Sequence, residues 1–161
     1  MTDNEEEVGI GIKASGVPRE EIFLVTKLSN PSHRIAAQAL ETSLKKLDTD
    51  YLDLCTSFPL VFLCPECLDS RSKWTGLMHW PAPMKKGGGP DLEWDWRDTW
   101  RSMESLYKQH PEKIRAIGVS NFGTEYLKEL LSFATVVPAT NQVELHPYVQ
   151  LVLLCHAGGG G

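Results

Sequence analysis

The chain has 161 residues, of which 42% are hydrophobic, and its 16 basic and 21 acidic residues leave a formal net charge of -5. This length suits one domain, and an acidic balance without a basic cluster argues against a nucleic-acid surface. No apolar run is long enough to span a bilayer, and the acidic start of the chain lacks the plan of a secretion signal. We therefore expect a soluble, cytoplasmic protein with neither nucleic-acid nor membrane partners.

The first third of the chain predicts a helix, a strand, a second helix and the start of another strand. Residues 4–14 begin with a capping asparagine and three glutamates, which suit the N-terminal end of a helix. Residues 21–27 contain four consecutive apolar residues rich in β-formers and end at Lys27, which predicts a buried strand. Residues 32–47 place apolar side chains along one helical stripe, and residues 49–54 begin the next strand.

The segment 55–77 interrupts this pattern, because it shows no sustained period of 2 or 3.6 residues. It contains Cys64 and Cys67, whose spacing is that of half a zinc site. A tetrahedral site needs four ligands, and no second pair follows at a fitting distance, so we predict no metal. A binding module that holds zinc through Cys64 and Cys67 remains the alternative to an enzyme.

The second half of the chain predicts two more pairs of helix and strand. Residues 94–109 and 124–133 have the apolar spacing of amphipathic helices, and residues 114–122 and 138–145 are the strands that follow them. Strands that alternate with helices, without an internal hairpin, argue for a parallel sheet covered by helices.

Polar side chains follow several of these strands at the point where each strand ends. Lys27, His79 and the pair Ser120 and Asn121 stand at the C-terminal ends of three different predicted strands. Barrels and open α/β sheets both bind their ligands at that end of the strands. Their joint placement predicts a functional site, which none of them would predict alone.

Five segments in order resemble the motifs of the aldo-keto reductases: 22–27, 51–54, 78–81, 114–122 and 141–148. The resemblance covers the chain from about Asn4 to Tyr148, apart from the interruption at 55–77. It implies a partial (β/α)8 TIM barrel that contains roughly strands 3 to 6 and helices 2 to 5. The chain is then one partial domain over 1–161, with an atypical insertion at 55–77 and a divergent tail at 149–161.

The resemblance also implies a reaction, the NADPH-dependent reduction of aldehydes or ketones to alcohols. In this family a tyrosine donates the proton, a lysine paired with an aspartate lowers the pKa of the tyrosine, and a histidine orients the carbonyl. Lys27 matches the lysine and His79 matches the histidine. A cation beside a phenol favours the phenolate, which makes the phenol a better acid near neutral pH.

The cofactor and substrate contacts of the family also map onto this chain. Ser120, Asn121 and Gln142 match the residues that hydrogen-bond the nicotinamide carboxamide of the cofactor. Trp80 matches a residue that lines the substrate pocket. The expected small-molecule partner is an aldehyde or a ketone.

The chain departs from the family at the general acid. The catalytic tyrosine lies two residues before the pair that begins at Asn4, and Thr2 occupies that position. The catalytic aspartate would fall before Met1, and the loop that grips the cofactor phosphates would follow the tail. We therefore expect impaired activity, with a non-catalytic fragment as the alternative. An open part of a barrel would also expose two strand edges, which favours self-association.

Overall fold

The computed structural model describes residues 4–57, 91 and 93–143 of the chain. Its centre is a four-stranded sheet in the order β1-β2-β3-β4, in which every pair of neighbours is parallel. The parallel α/β class predicted from the sequence is therefore confirmed. None of the helices in the described ranges has the length and apolar character needed to cross a bilayer. The elements are α1 Glu5–Ser15, β1 Val25–Leu28, α2 Ala36–Leu47, β2 Leu54–Ser57, α3 Trp96–Gln109, β3 Ile117–Ser120, α4 Thr124–Phe133 and β4 Asn141–Gln142.

The first predicted strand, at 21–27, begins too early. Arg19–Glu21 forms a short 3₁₀ helix, and strand β1 covers only Val25–Leu28. Pro18 restricts the backbone before the turn, and its carbonyl accepts a hydrogen bond from the Glu21 N–H at 3.0 Å. The chain must leave this turn before it can join the sheet.

The second predicted helix, at 32–47, also begins too early, because the observed helix starts four residues later. Asn30–Ile35 is a 3₁₀ helix, and α2 begins at Ala36. Within the 3₁₀ helix, His33 is only 2% exposed, and its Nδ1 lies 3.2 Å from the Thr99 hydroxyl of α3. Burial lowers the pKa of His33 to about 4, so the ring is neutral at neutral pH. This contact joins the segment after β1 to the start of α3.

The boundaries of the other three strands also differ from the prediction. Strand β3 covers Ile117–Ser120 of the predicted 114–122. Strand β2, Leu54–Ser57, includes residues 55–57, which the sequence pattern assigned to the insertion. These residues are in register with both neighbouring strands, so the ladder runs three residues past the predicted break. Strand β4 covers Asn141–Gln142, a shorter stretch than the predicted 138–145, of which residues 144 and 145 lie outside the described part of the chain.

One face of the sheet is covered by helices. Successive side chains on a strand point to opposite faces, and Cys55 pairs with Ile117 on the covered face. Both side chains are buried, together with Leu28 and Val119 on that face. The buried leucines of α2 and the aromatic residues of α3 pack against them to form one core. The helix-covered face supplies packing, which leaves the other face for polar groups.

An ionic cluster holds the strands together at their N-terminal ends. The Asp53 carboxylate accepts hydrogen bonds from Arg19 and Arg115, both at 3.0 Å, and from the Leu24 N–H at 2.9 Å. Burial of Asp53 opposes its charge, but these hydrogen bonds and the Arg19 charge hold its pKa below the usual value. Both guanidinium groups also stack on Tyr51, at 4.0 and 3.8 Å from the ring centroid.

Two glycines of α1 offer a matched test of how closely this helix packs on α2. A Cβ at Gly9 would lie 2.7 Å from the Leu47 carbonyl oxygen, whereas a Cβ at Gly11 would meet nothing within 4 Å. We expect Gly9→Ala to lower the free energy of unfolding by about 1–3 kcal/mol because the helices must move apart. Gly11→Ala should raise it by roughly 0.5–1 kcal/mol through helix propensity. Urea denaturation measures both changes, and equal effects would contradict the close approach.

Candidate functional site

The register of the sheet brings one polar row to the face opposite the described helices α2 and α3. Lys27 of β1 pairs with Thr56 of β2, and Thr56 pairs with Gly118 of β3. Ser120 follows Gly118 by two residues, so its side chain lies on the same face as Lys27. The Lys27 Nζ is 3.5 Å from the Ser120 Oγ, at the outer limit of a hydrogen bond.

Ser120 connects β3 to β4. It is completely buried, and its hydroxyl donates a hydrogen bond of 2.8 Å to the backbone carbonyl of Gln142. The same carbonyl accepts a hydrogen bond of 2.9 Å from the Asn121 N–H. Because the hydroxyl hydrogen is already donated, the Ser120 oxygen can serve a further group only as an acceptor.

Lys27 is partly buried, and this position changes its chemistry. Burial lowers the pKa of its ammonium group below the usual value, because the charged form loses hydration. The neighbouring Thr56 is completely buried, and its hydroxyl finds no hydrogen-bond partner among the described residues. The row therefore combines a partly desolvated cation with hydroxyl groups on one face of the sheet.

Asn121 has an unusual backbone conformation. Its φ of 58° lies in the left-handed region, which asparagine tolerates better than most residues with a side chain. Residues in this region are frequent at functional sites, where the surrounding structure holds them in place. Asn121 directly follows Ser120, so the strained backbone lies at the C-terminal end of β3.

The structure brings four of the predicted site residues together at the C-terminal edge of the sheet: Lys27, Ser120, Asn121 and Gln142. Gln142 is exposed, whereas Ser120 is buried in contact with Lys27 and Gln142. The roles of these residues in cofactor binding and catalysis remain predictions.

The other predicted site residues lie outside the described part of the chain. These are His79, Trp80, Thr2, and the cysteines Cys64 and Cys67 of the alternative zinc module. Among the described residues, no group of three or more histidine, cysteine, aspartate or glutamate side chains could hold a metal ion.

Two residues of the site were missed by the sequence analysis. Thr56 lies in the polar row, and the Asn141 side chain binds the backbone of Phe122. Asn141 could have been identified from the sequence, because it precedes Gln142 in the family motif at 141–148. Thr56 could not, because it belongs to the segment 55–77 that was assigned to the insertion.

The hydrogen-bonding groups at the C-terminal edge of the sheet suit a ligand that carries a neutral amide, close to an oxygen atom that gains negative charge. A carboxamide offers one acceptor oxygen and two N–H donors, which the side chains of asparagine and glutamine complement. The Lys27 ammonium group is a donor that can stabilise negative charge developing on a nearby oxygen.

Comparison with known proteins gives the same family from sequence and from structure. The chain matches the sequence model of the Aldo/keto reductase family over residues 1–154. It is 40% identical to an aldehyde reductase of Saccharomyces cerevisiae, over 97% of this chain and 50% of that protein. It is 43% identical to a glyoxal reductase of Bacillus subtilis, over 89% of this chain and 41% of that protein.

Solved structures agree with the sequence comparison. The fold resembles a Bombyx mori aldo-keto reductase in complex with NADP, with a TM-score of 0.69 and 34% identity over 88% of this chain and 40% of that chain. An aldose reductase of Giardia lamblia gives a TM-score of 0.68 at 27% identity, over 90% of this chain and 46% of that chain. The chain thus spans about half the length, or less, of these relatives.

The left-handed conformation of Asn121 can be tested by the size of the residue. We expect Asn121→Ala to be less stable than Asn121→Gly by about 1 kcal/mol, because only glycine adopts a positive φ without a steric penalty. Gly16 has a φ of 68° and open space around it, so Gly16→Ala is a control of the same kind away from the site. Chemical denaturation gives the free energies, and equal stability of the two Asn121 variants would contradict this conformation.

Proposed function

Because the chain belongs to the aldo/keto reductase family, we propose that it contains part of the site of an NADPH-dependent carbonyl reductase. The proposed substrates are small aldehydes or ketones, which are reduced to alcohols. The observation that supports this proposal most directly is the convergence of Lys27, Ser120, Asn121 and Gln142 at one edge of the sheet. Relatives of the chain include an aldehyde reductase and a glyoxal reductase, which points to the same class of chemistry.

The residues at this edge fit the amide group of a nicotinamide. Asn121 and Gln142 can together supply a donor and an acceptor to a carboxamide, and the Ser120 oxygen can accept from its N–H. These contacts would determine which face of the ring points at the substrate. NADPH supplies the hydride when it is bound.

We propose that His79, Trp80 and Lys27 hold the substrate carbonyl. His79 donates a hydrogen bond to the carbonyl oxygen in this proposal, and Trp80 lines the pocket around the substrate. Lys27 acts through its positive charge, which stabilises negative charge near that oxygen and raises the acidity of a neighbouring proton donor.

We also propose that activity is impaired in this chain, because the resemblance to the family matches Thr2 to the position of its tyrosine. An aliphatic hydroxyl is a much weaker acid than a phenol, so Thr2 is a poor proton donor near neutral pH. A general acid commonly contributes roughly 10²–10⁴-fold to the rate. The remaining residues would therefore orient the reactants without completing the proton transfer.

NADPH consumption with a small aldehyde tests this function. We expect the wild-type rate to be low and to fall further in Lys27→Met and His79→Ala. Thr2→Tyr should raise the rate, by up to roughly 10²–10⁴-fold, because it supplies the missing acid. Thr2→Phe is the matched control, since it adds the same ring without the hydroxyl.

Two results would count against the proposal. The first is a wild-type rate equal to that of Lys27→Met, with Thr2→Tyr no faster than Thr2→Phe. The second is a wild-type rate that matches Thr2→Tyr, which would show that a tyrosine at this position is not needed.

The proposal also covers the domain, its location and its association. We propose one partial reductase domain, with the insertion and the divergent tail described above, in the cytoplasm.

Within the described residues β1 pairs only with β2 and β4 only with β3, so each has one edge without a strand partner. Such edges favour pairing with a second copy of the chain. A sedimentation coefficient that rises with protein concentration is the expected result, and a constant monomer value would contradict it.

A further inference from the structure

The side chain of Asn141 binds the backbone of Phe122 at two points. Its Oδ1 accepts a hydrogen bond of 3.0 Å from the Phe122 N–H, and its Nδ2 donates one of 2.8 Å to the Phe122 carbonyl. A side-chain amide that contacts both groups of one residue reproduces what a neighbouring strand offers in a sheet. Asn141 thus continues the pairing between β3 and β4 with its side chain.

This contact directly follows Ser120 and Gln142, the last pair of the ladder between β3 and β4 among the described residues. Asn121, the residue after β3, adopts the left-handed conformation, and its N–H donates a hydrogen bond to the Gln142 carbonyl. The Asn141 side chain supplies a partner for both polar groups of the Phe122 backbone.

Phe122 is also held by its ring. It is only 3% exposed, and its ring makes edge contacts with Trp96 at 5.5 Å and Tyr126 at 6.1 Å between centroids. The backbone of Asn121 is therefore held on both sides. The Gln142 carbonyl holds it on the N-terminal side, and Phe122 holds it on the C-terminal side.

We propose that Asn141 is a positioning residue, whose amide clamps Phe122 and so holds Asn121 in the left-handed conformation that directs its side chain to a nicotinamide carboxamide. The identity of the ligand rests on the proposed function, whereas the clamp itself rests on the hydrogen bonds of the structure. Asn141 acts through Asn121, because both of these side-chain hydrogen bonds are to the Phe122 backbone.

The clamp makes a prediction in the protein without ligand. In Asn141→Ala, amide hydrogen exchange at Phe122 should be about tenfold faster, because its hydrogen bonds of ordinary strength are lost. The NMR chemical shifts of Asn121 should move away from left-handed values. Asn141→Asp is the second variant. It keeps the shape of the side chain, but it places an acceptor oxygen against the Phe122 carbonyl oxygen. We expect this repulsion to move the carboxylate away from Phe122, which breaks the bond to the Phe122 N–H as well and gives the same two changes.

A double-mutant cycle tests whether the clamp acts through Asn121. The measured quantity is the dissociation constant of NADPH in wild type, Asn141→Ala, Asn121→Ala and the double variant. We expect Asn141→Ala to weaken binding by about tenfold in the wild-type background and by less than about twofold when Asn121 is already alanine. A merely structural role for Asn141 would weaken binding equally in both backgrounds.

The possible results separate this inference from the proposed function. Equal losses in both backgrounds, or unchanged Phe122 exchange and Asn121 shifts in both Asn141 variants, would overturn the positioning role. If wild type binds no NADPH while both NMR signals respond to Asn141→Asp, the clamp stands and the proposed function fails. If Asn141→Ala does not fold, Asn141→Asp takes its place in the cycle with the same expectations.

Discussion

The parallel register of the sheet is the constraint on which the site depends. Lys27 pairs with Thr56 and Thr56 with Gly118, so one row crosses three strands. Ser120 lies on the same face as this row because two residues separate it from Gly118. A slip of one residue in either ladder would turn Lys27 or Ser120 to the face that the helices cover. The contact between them exists only in this register.

The N-terminal ends of the strands carry stabilising ionic contacts, whereas their C-terminal ends carry the candidate site. At the N-terminal ends, Asp53 ties β1, β2 and β3 through Arg19, Arg115 and the Leu24 N–H, and burial of its charge is offset by these partners. At the C-terminal ends, Lys27 and Ser120 sit among polar groups. In barrels of this kind stability is concentrated at the first end and chemistry at the second. The charge cluster holds the strands in register without occupying the site.

The site combines backbone strain with local support. Asn121 occupies the left-handed region, which disfavours it relative to an extended residue. The Gln142 carbonyl and the Asn141 amide hold the backbone on either side of it, and the aromatic packing of Phe122 adds to their effect. Strain of this kind persists only where neighbouring groups oppose relaxation. Both the Gln142 carbonyl and the Asn141 amide belong to β4, so this short strand stabilises the backbone conformation of Asn121.

Local patterns predicted much of the fold. The helix predicted at 124–133 matches α4 residue for residue, and the alternation of helices and strands indicated the parallel sheet. Apolar periodicity and end-capping residues act within a few positions, so the sequence reveals them directly. The turn at Arg19–Glu21 and the 3₁₀ helix at Asn30–Ile35 were missed, because the predicted strand began within the first, at residue 21, and the predicted helix within the second, at residue 32.

The sequence by itself determined the family and named four residues that now lie together, because their motifs stand in order at strand ends. Only the tertiary structure decided how they meet. Lys27 reaches Ser120 across 93 positions of the chain, and Asn141 reaches Phe122 across 19. The burial of Ser120 and the conformation of Asn121 likewise depend on groups that folding brings near. Hydrogen-bond partners and burial are properties of the packed chain, so a local pattern cannot specify them.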